Sequence, residues 1–361
     1  MNGARGTRGD VKGGVSMRAR RLRASLKGWG GVATMAVVCA LVAVFALCVP
    51  LSGPGIGDGR AVTRASQATI EKAEEDCEAP EKQTLSPSSA DGDTIQAIKD
   101  REGEKRKLIV GVDQNSYRWG YRNPNSGKTA ELEGFDIDLV HRIAEDILGD
   151  PDAVQFKAIP TDQRIPAIQD GRVDMVVRTM TINCARIADV AFSAPYFKTG
   201  QQVLAPKSSP VKGYDDTLAN RRICTAAGST AYSTLEADQK DGKLPATTDI
   251  STTVPNQLDC LVRLQLGEVD AVVTDGALAA SQAAQDPTVQ LKGDAFTAEY
   301  YGVAMKKDAD DLVRRVNQIL VDYRKDTANG WQASYDKWLS ATLGKDAKKS
   351  EPPAPQYLRS T

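Results

Sequence analysis

Two short stretches of this chain nearly repeat one another, and the repeat limits what the chain can fold into. Residues 169–178 read Gln-Asp-Gly-Arg-Val-Asp-Met-Val-Val-Arg, and residues 265–274 read Gln-Leu-Gly-Glu-Val-Asp-Ala-Val-Val-Thr. Each has the form of a helix end, a glycine stop and a buried strand. A second echo pairs the apolar run Leu108–Val112 with Arg222–Ala226. Around the first copy the pattern alternates. Leu108–Val112 predicts a strand, and Gly134–Leu148, apolar at 135, 139, 140, 143, 144 and 147, predicts an amphipathic helix. Val154–Ile159 predicts a second strand, Ile165–Gln169 a helix ending at Gly171, and Val173–Val177 a third strand. Strands alternating with helices imply a mainly parallel sheet, so the chain is α/β and holds two similar units. Ligands of open α/β sheets gather at the carboxyl ends of strands. Thr179 and Asp275 hold equivalent ends in the two units and predict a cleft between lobes.

The N-terminus is a different kind of sequence. Eight basic residues between Arg5 and Lys27 face only Asp10, and no charge occurs from Gly28 to Gly57. Within that stretch residues 32–51 are almost wholly apolar, and a helix of about 20 residues spans the roughly 30 Å of a bilayer's hydrocarbon. Residues 1–31 thus read as a basic cytoplasmic leader and 32–51 as a transmembrane anchor or signal segment, with the bulk of the chain outside the cell membrane. Residues 52–105 read as a polar linker, with a short helix from Asp93. Residues 346–361, with three prolines, read as a flexible tail. The net charge of -1 gives no general attraction to nucleic acid. His141 is the only histidine and no Cys-x-x-Cys occurs, which argues against a metal site, a cofactor held by such ligands and a Ser-His or Cys-His catalytic pair. Cys39 and Cys48 lie in the apolar segment. Cys77, Cys184, Cys224 and Cys260 lie beyond it and suggest two disulfides, with three connectivities open.

The ordered series Gly134-Phe135-Asp136-Ile137-Asp138-Leu139, Arg164-Ile165-Pro166-Ala167-Ile168-Gln169, Val173-Asp174, Thr179-Met180-Thr181-Ile182, Arg186, Phe192-Ser193-Ala194-Pro195-Tyr196-Phe197, Gly228-Ser229-Thr230, Val269 to Asp275 and Tyr301-Gly302-Val303 resembles family 3 of the bacterial extracellular solute-binding proteins. The resemblance spans roughly 105–343, and its flavour is that of the glutamate, glutamine and aspartate binders of Gram-positive bacteria. It implies a two-lobed periplasmic-binding-protein-like fold of type II with the ligand in the interlobe cleft. Lobe 1 would comprise 106–203 and 297–345, and lobe 2 would comprise 204–296. On this division Cys224 sits in the first strand of lobe 2 and Cys260 opens the helix leading to its neighbour, which pairs these two and leaves Cys77 for Cys184.

By the same resemblance Arg186 clamps a ligand carboxylate, a task suited to a planar fork. Thr181 adds a hydroxyl and an amide, Thr179 a carbonyl for the ammonium, Ser229 and Thr230 amides at a strand-to-helix turn, and Asp275 the ammonium's counter-charge. Phe135 sits where the family often places an aromatic against the ligand, and Asp113, Gln114, Tyr117 and Trp119 where it sets selectivity. Arg178 ends a buried strand at the cleft. A cation there meets a second ligand carboxylate, or else pairs with Asp174 or Asp138, whereas Asp113 facing the ligand favours an amide or a cation. The implied ligand is a free amino acid, glutamate or aspartate first and glutamine or asparagine next. The implied partners are an ABC permease and ATPase on other chains or, alternatively, a membrane sensor. No enzyme activity is expected.

Overall fold

The computed structural model describes residues 77–125 and 131–359. The basic leader, the apolar segment 32–51 and the first part of the expected linker lie outside the described residues. No helix among the described residues is long and apolar enough to cross a membrane.

The two echoed units are two five-stranded sheets with the same strand order. In lobe 1 the order is Val154–Ala158, Leu108–Val112, Met175–Val176, Ala304–Met305, Ala191–Phe192. In lobe 2 it is Asp249–Val254, Arg222–Ala226, Ala271–Asp275, Gln201–Pro206, Val289–Lys292. The first three strands of each are parallel. The fourth is antiparallel in both, and in both it is the strand supplied by a crossing of the chain between lobes. Gly171 and Gly267 both have left-handed φ, 66° and 70°, where a β-carbon is costly. The echoed aspartates explain their own repetition. Asp174 accepts from the backbone N–H of Ile109 and from Arg101, and its own N–H donates to the Ile109 carbonyl. Asp270 does the same with Arg222. Each locks the start of the central strand.

The crossings differ slightly from the expected boundaries. Val203, Leu204 and Ala205 are fully buried in the lobe 2 sheet, so the chain leaves lobe 1 before Gln201 rather than after 203. Phe197–Thr199 and Glu299–Tyr301 pair antiparallel as the two hinge strands. A β-carbon on Gly200 would stand 2.1 Å from the Thr297 carbonyl oxygen, so the backbones of the two crossings approach too closely there for any side chain.

Residues 77–105 are not a solvated linker. Leu85, Ile95 and Ile98 are buried in the lobe 1 core, and the helix Asp93–Lys99 is tied to Asp311 through the Ile95 N–H. Thr84 donates its hydroxyl to the Phe192 carbonyl at 2.7 Å. The expected loose tail is docked too: Ala347 is buried, Lys198 donates to the Ser350 carbonyl, and Leu358 and Arg359 donate to the carbonyls of Lys82 and Thr84. Polar composition hid both segments, because few apolar residues suffice to seat a short strap. Cys77 is bonded to Cys184, and Cys224 to Cys260.

A seated strap has a measurable consequence. Ile95→Ala and Ile98→Ala in the full-length protein should each lower unfolding free energy by about 2–5 kcal/mol, as buried isoleucines do. Urea titration checks this: a change within about 0.5 kcal/mol, the usual effect at a solvated position, would contradict the packing.

Candidate functional site

The cleft between the sheets holds a narrow cavity lined by residues of both lobes. From lobe 1 come Arg164, Thr179, Thr181 and Arg186. From lobe 2 come Ser229, Thr230, Ala231, Gln257, Thr274 and Asp275. Arg164, Arg186, Thr230, Ala231 and Gln257 stand in the first turns of helices, and Thr274 and Asp275 at the end of a strand. Asp275 ends the strand Ala271–Asp275, and Ser229 caps the helix Thr230–Lys240 by accepting from the Tyr232 N–H. Thr179 follows a buried strand with φ of 42°, a strained value for a β-branched residue. Buried Asp136 holds it there, accepting from the Thr179 N–H at 3.1 Å and from the Tyr196 hydroxyl at 2.9 Å.

The charges are unequal. Arg186 donates to the Thr181 carbonyl at 2.7 Å and to the Gly228 carbonyl, across the cleft, at 3.1 Å. Arg164 donates to the carbonyls of Thr161, Arg178 and Gly228. Both are buried, and neither is ion-paired with a described carboxylate. Burial pushes both guanidiniums below their ordinary value. For Arg164 the fall is large and is deepened by the charges of Arg186 and Arg178. Asp275 is the one carboxylate on the wall. Burial, and then the charge of Glu299, push it up to about 7, against the Tyr301 hydroxyl that donates to it at 2.5 Å. Gly228, with φ of 71°, lets lobe 2 close on lobe 1: a β-carbon there would meet the Cα of Asp162 at 2.9 Å.

Three residues expected at the ligand do not line this cavity. Arg178 is wholly buried and pairs with Asp113 at 2.9 Å, not with Asp174 or Asp138. It also donates to Thr161 and, across the cleft, to Asn256. Asp113 in turn accepts from the N–H groups of Gln114 and Asn115 and the Ser116 hydroxyl, so it organises its own loop. Asp174 is taken by Arg101, and Asp138 by Ser334, Lys337 and Trp338. Phe135 and Trp119 are buried in an aromatic cluster with Phe197. Tyr117 lines a second cavity with Gln282. Conversely, Arg164, Gln257 and Thr274 were not assigned from sequence. Arg164 carried a usable signal: no acidic residue stands three or four positions away on its helix.

Buried carboxylates set the pH response. Asp136 and Asp275 are both raised to about 7, chiefly by burial. The folded protein therefore holds more protons than the unfolded chain between about pH 4 and 7, and stability falls as pH rises through that window. Ligand-free protein should melt at higher temperature at pH 5.5 than at pH 8, and Asp136→Asn should flatten the dependence. A melting temperature rising over this interval would contradict it.

Residues 108–341 match the family described as bacterial extracellular solute-binding proteins, family 3. The chain is 35% identical over 247 residues, 68% of its length and 85% of the other, to "ABC transporter glutamine-binding protein GlnH" of Bacillus subtilis (strain 168). To "Glutamate-binding protein GluB" of Corynebacterium glutamicum it is 26% identical over 293 residues, 76% of its length and 94% of the other. Among solved structures, "An ancestral arginine-binding protein bound to glutamine" is 32% identical with a TM-score of 0.55, covering 66% of this chain and 98% of that one. The solute receptor for L-cysteine of Neisseria gonorrhoeae is 25% identical with a TM-score of 0.63, covering 72% and 99%.

Proposed function

This chain belongs to family 3 of the bacterial extracellular solute-binding proteins, and from that premise we propose that it captures glutamate or aspartate outside the cell for an ABC importer whose permease and ATPase are other chains. The observation that carries the ligand class is the pair of buried, unpaired guanidiniums, Arg164 and Arg186, on a wall with one carboxylate.

A zwitterion entering the cavity brings a carboxylate to Arg186 and an ammonium to Asp275. The Thr230 amide, the Thr179 carbonyl and the Thr181 hydroxyl complete the hydrogen bonds that its desolvation demands, while the Ser229 N–H is held by the Ala226 carbonyl. Arg164 then remains as an uncompensated buried cation, which a side-chain carboxylate neutralises. Glutamine or asparagine offers Arg164 a carbonyl oxygen but no charge, and ranks next. Asp113 is no counter-ion for a basic side chain, because it already faces Arg178. The names of the relatives, a glutamine binder and a glutamate binder, support this range. The apolar segment 32–51 supports a membrane tether for the extracellular bulk.

Calorimetric titration of the full-length protein in detergent tests the assignment. Arg186→Ala and Asp275→Ala should each remove measurable binding, since stranding a buried charge costs about 3–5 kcal/mol, several hundredfold or more. Arg164→Gln should weaken glutamate by about tenfold or more while sparing glutamine, inverting the preference. Affinity should fall below about pH 7 as Asp275 takes up a proton. If arginine or lysine bound about tenfold tighter than glutamate, the ligand class would be wrong.

A further inference from the structure

Arg186 sits on a weak support. Its helix, Cys184–Asp189, has six residues, too few to be stable by itself, so its place must be set from outside. On its N-terminal side Thr181 bridges to hinge residue Tyr301, and Ile182 donates to the Tyr300 carbonyl. Asn183 caps the helix by accepting from the N–H of Arg186 itself at 2.9 Å. The next residue, Cys184, is bonded to Cys77. Eight residues after Cys184, the Phe192 carbonyl accepts from Thr84, whose hydroxyl also accepts from Asn317 at 3.0 Å. Asn317 in turn accepts from the Ala194 N–H at 2.7 Å.

The N-terminal strap therefore grips the arginine-bearing segment at both ends, covalently at Cys184 and by a buried hydrogen bond at Phe192. We infer that Cys77 and Thr84 are positioning residues for the ligand clamp: the strap holds Arg186 where it meets the ligand's α-carboxylate. The inference rests on the role proposed for Arg186 above. Removing a disulfide that only braced the fold would lower stability and leave the clamp's selectivity alone. One that positions Arg186 changes what the site can distinguish.

The test compares glutamate with its α-amide, isoglutamine, which cannot use the full charge of Arg186. Cys77→Ser/Cys184→Ser in the full-length protein should weaken glutamate by about tenfold or more and isoglutamine by about threefold or less. Thr84→Val, a milder change that keeps the disulfide, should weaken glutamate in the same direction. Ile98→Ala, a strap substitution remote from Arg186, serves as the destabilised control and should leave Kd within about twofold. Hydrogen exchange read without ligand should quicken at 183–193 in the serine variant and stay unchanged at 228–234. Equal weakening of both ligands, unchanged affinity in both strap variants, or unaltered exchange at 183–193 would overturn the inference. Absence of amino-acid binding by the unmodified protein would instead overturn the reading of Arg186, and this inference with it.

Discussion

Three guanidiniums are buried in one cleft, and among the described residues only Arg178 has a carboxylate of its own. The rest of the cleft follows from that imbalance. Arg164 and Arg186 make do with backbone carbonyls, and both reach across the gap to the same one, on Gly228. These two bonds from lobe 1 cations to a lobe 2 carbonyl hold the lobes together across the cleft. Gly228 must be glycine both for its backbone angle and because its Cα faces Asp162 directly. The third arginine does a different task. Arg178 joins Asp113 of lobe 1 to Asn256, which caps the helix Gln257–Gln265 of lobe 2, and so fixes how the lobes meet without touching the cavity.

The fold was legible because its signal is repeated. Helix end, left-handed glycine and buried strand occur twice, and Asp174 and Asp270 do the same mechanical task in each copy. Residues that line the cavity from strand ends, such as Thr179 and Asp275, were legible for the same reason. Arg178 was not, because a cation's partner is a fact about three dimensions: the sequence suggested Asp174 or Asp138, and the fold brought Asp113 from 65 positions away. Phe135 was misplaced in a similar way, since an aromatic at a helix start can turn toward ligand or core, and here four other rings draw it inward. The strap was hidden by composition. Between residues 77 and 105 only Leu85, Ile95 and Ile98 are apolar and large, yet a preformed surface needs little more to hold a short segment.

Asp136 and Asp275 show how burial sets a site's chemistry without any catalytic step. Each is held by a tyrosine hydroxyl, Tyr196 for one and Tyr301 for the other, and each is raised to about 7. A neutral hydrogen-bond donor steadies a carboxylate while leaving its charge uncancelled. For Asp275 that reserve is what an ammonium group can use. For Asp136 it is spent on keeping Thr179 in a strained backbone conformation.

The pairing of the C-terminal segment with the strap has a mechanical meaning. Leu358 and Arg359 bond to Lys82 and Thr84, so both ends of the described chain are fastened to lobe 1, and lobe 2 hangs from two adjoining hinge strands as an inserted body. A load applied to either end, by a tether or by a docked neighbour, is taken up within lobe 1 and does not run through the cleft. Among the described residues, neither end of the chain is fastened to lobe 2.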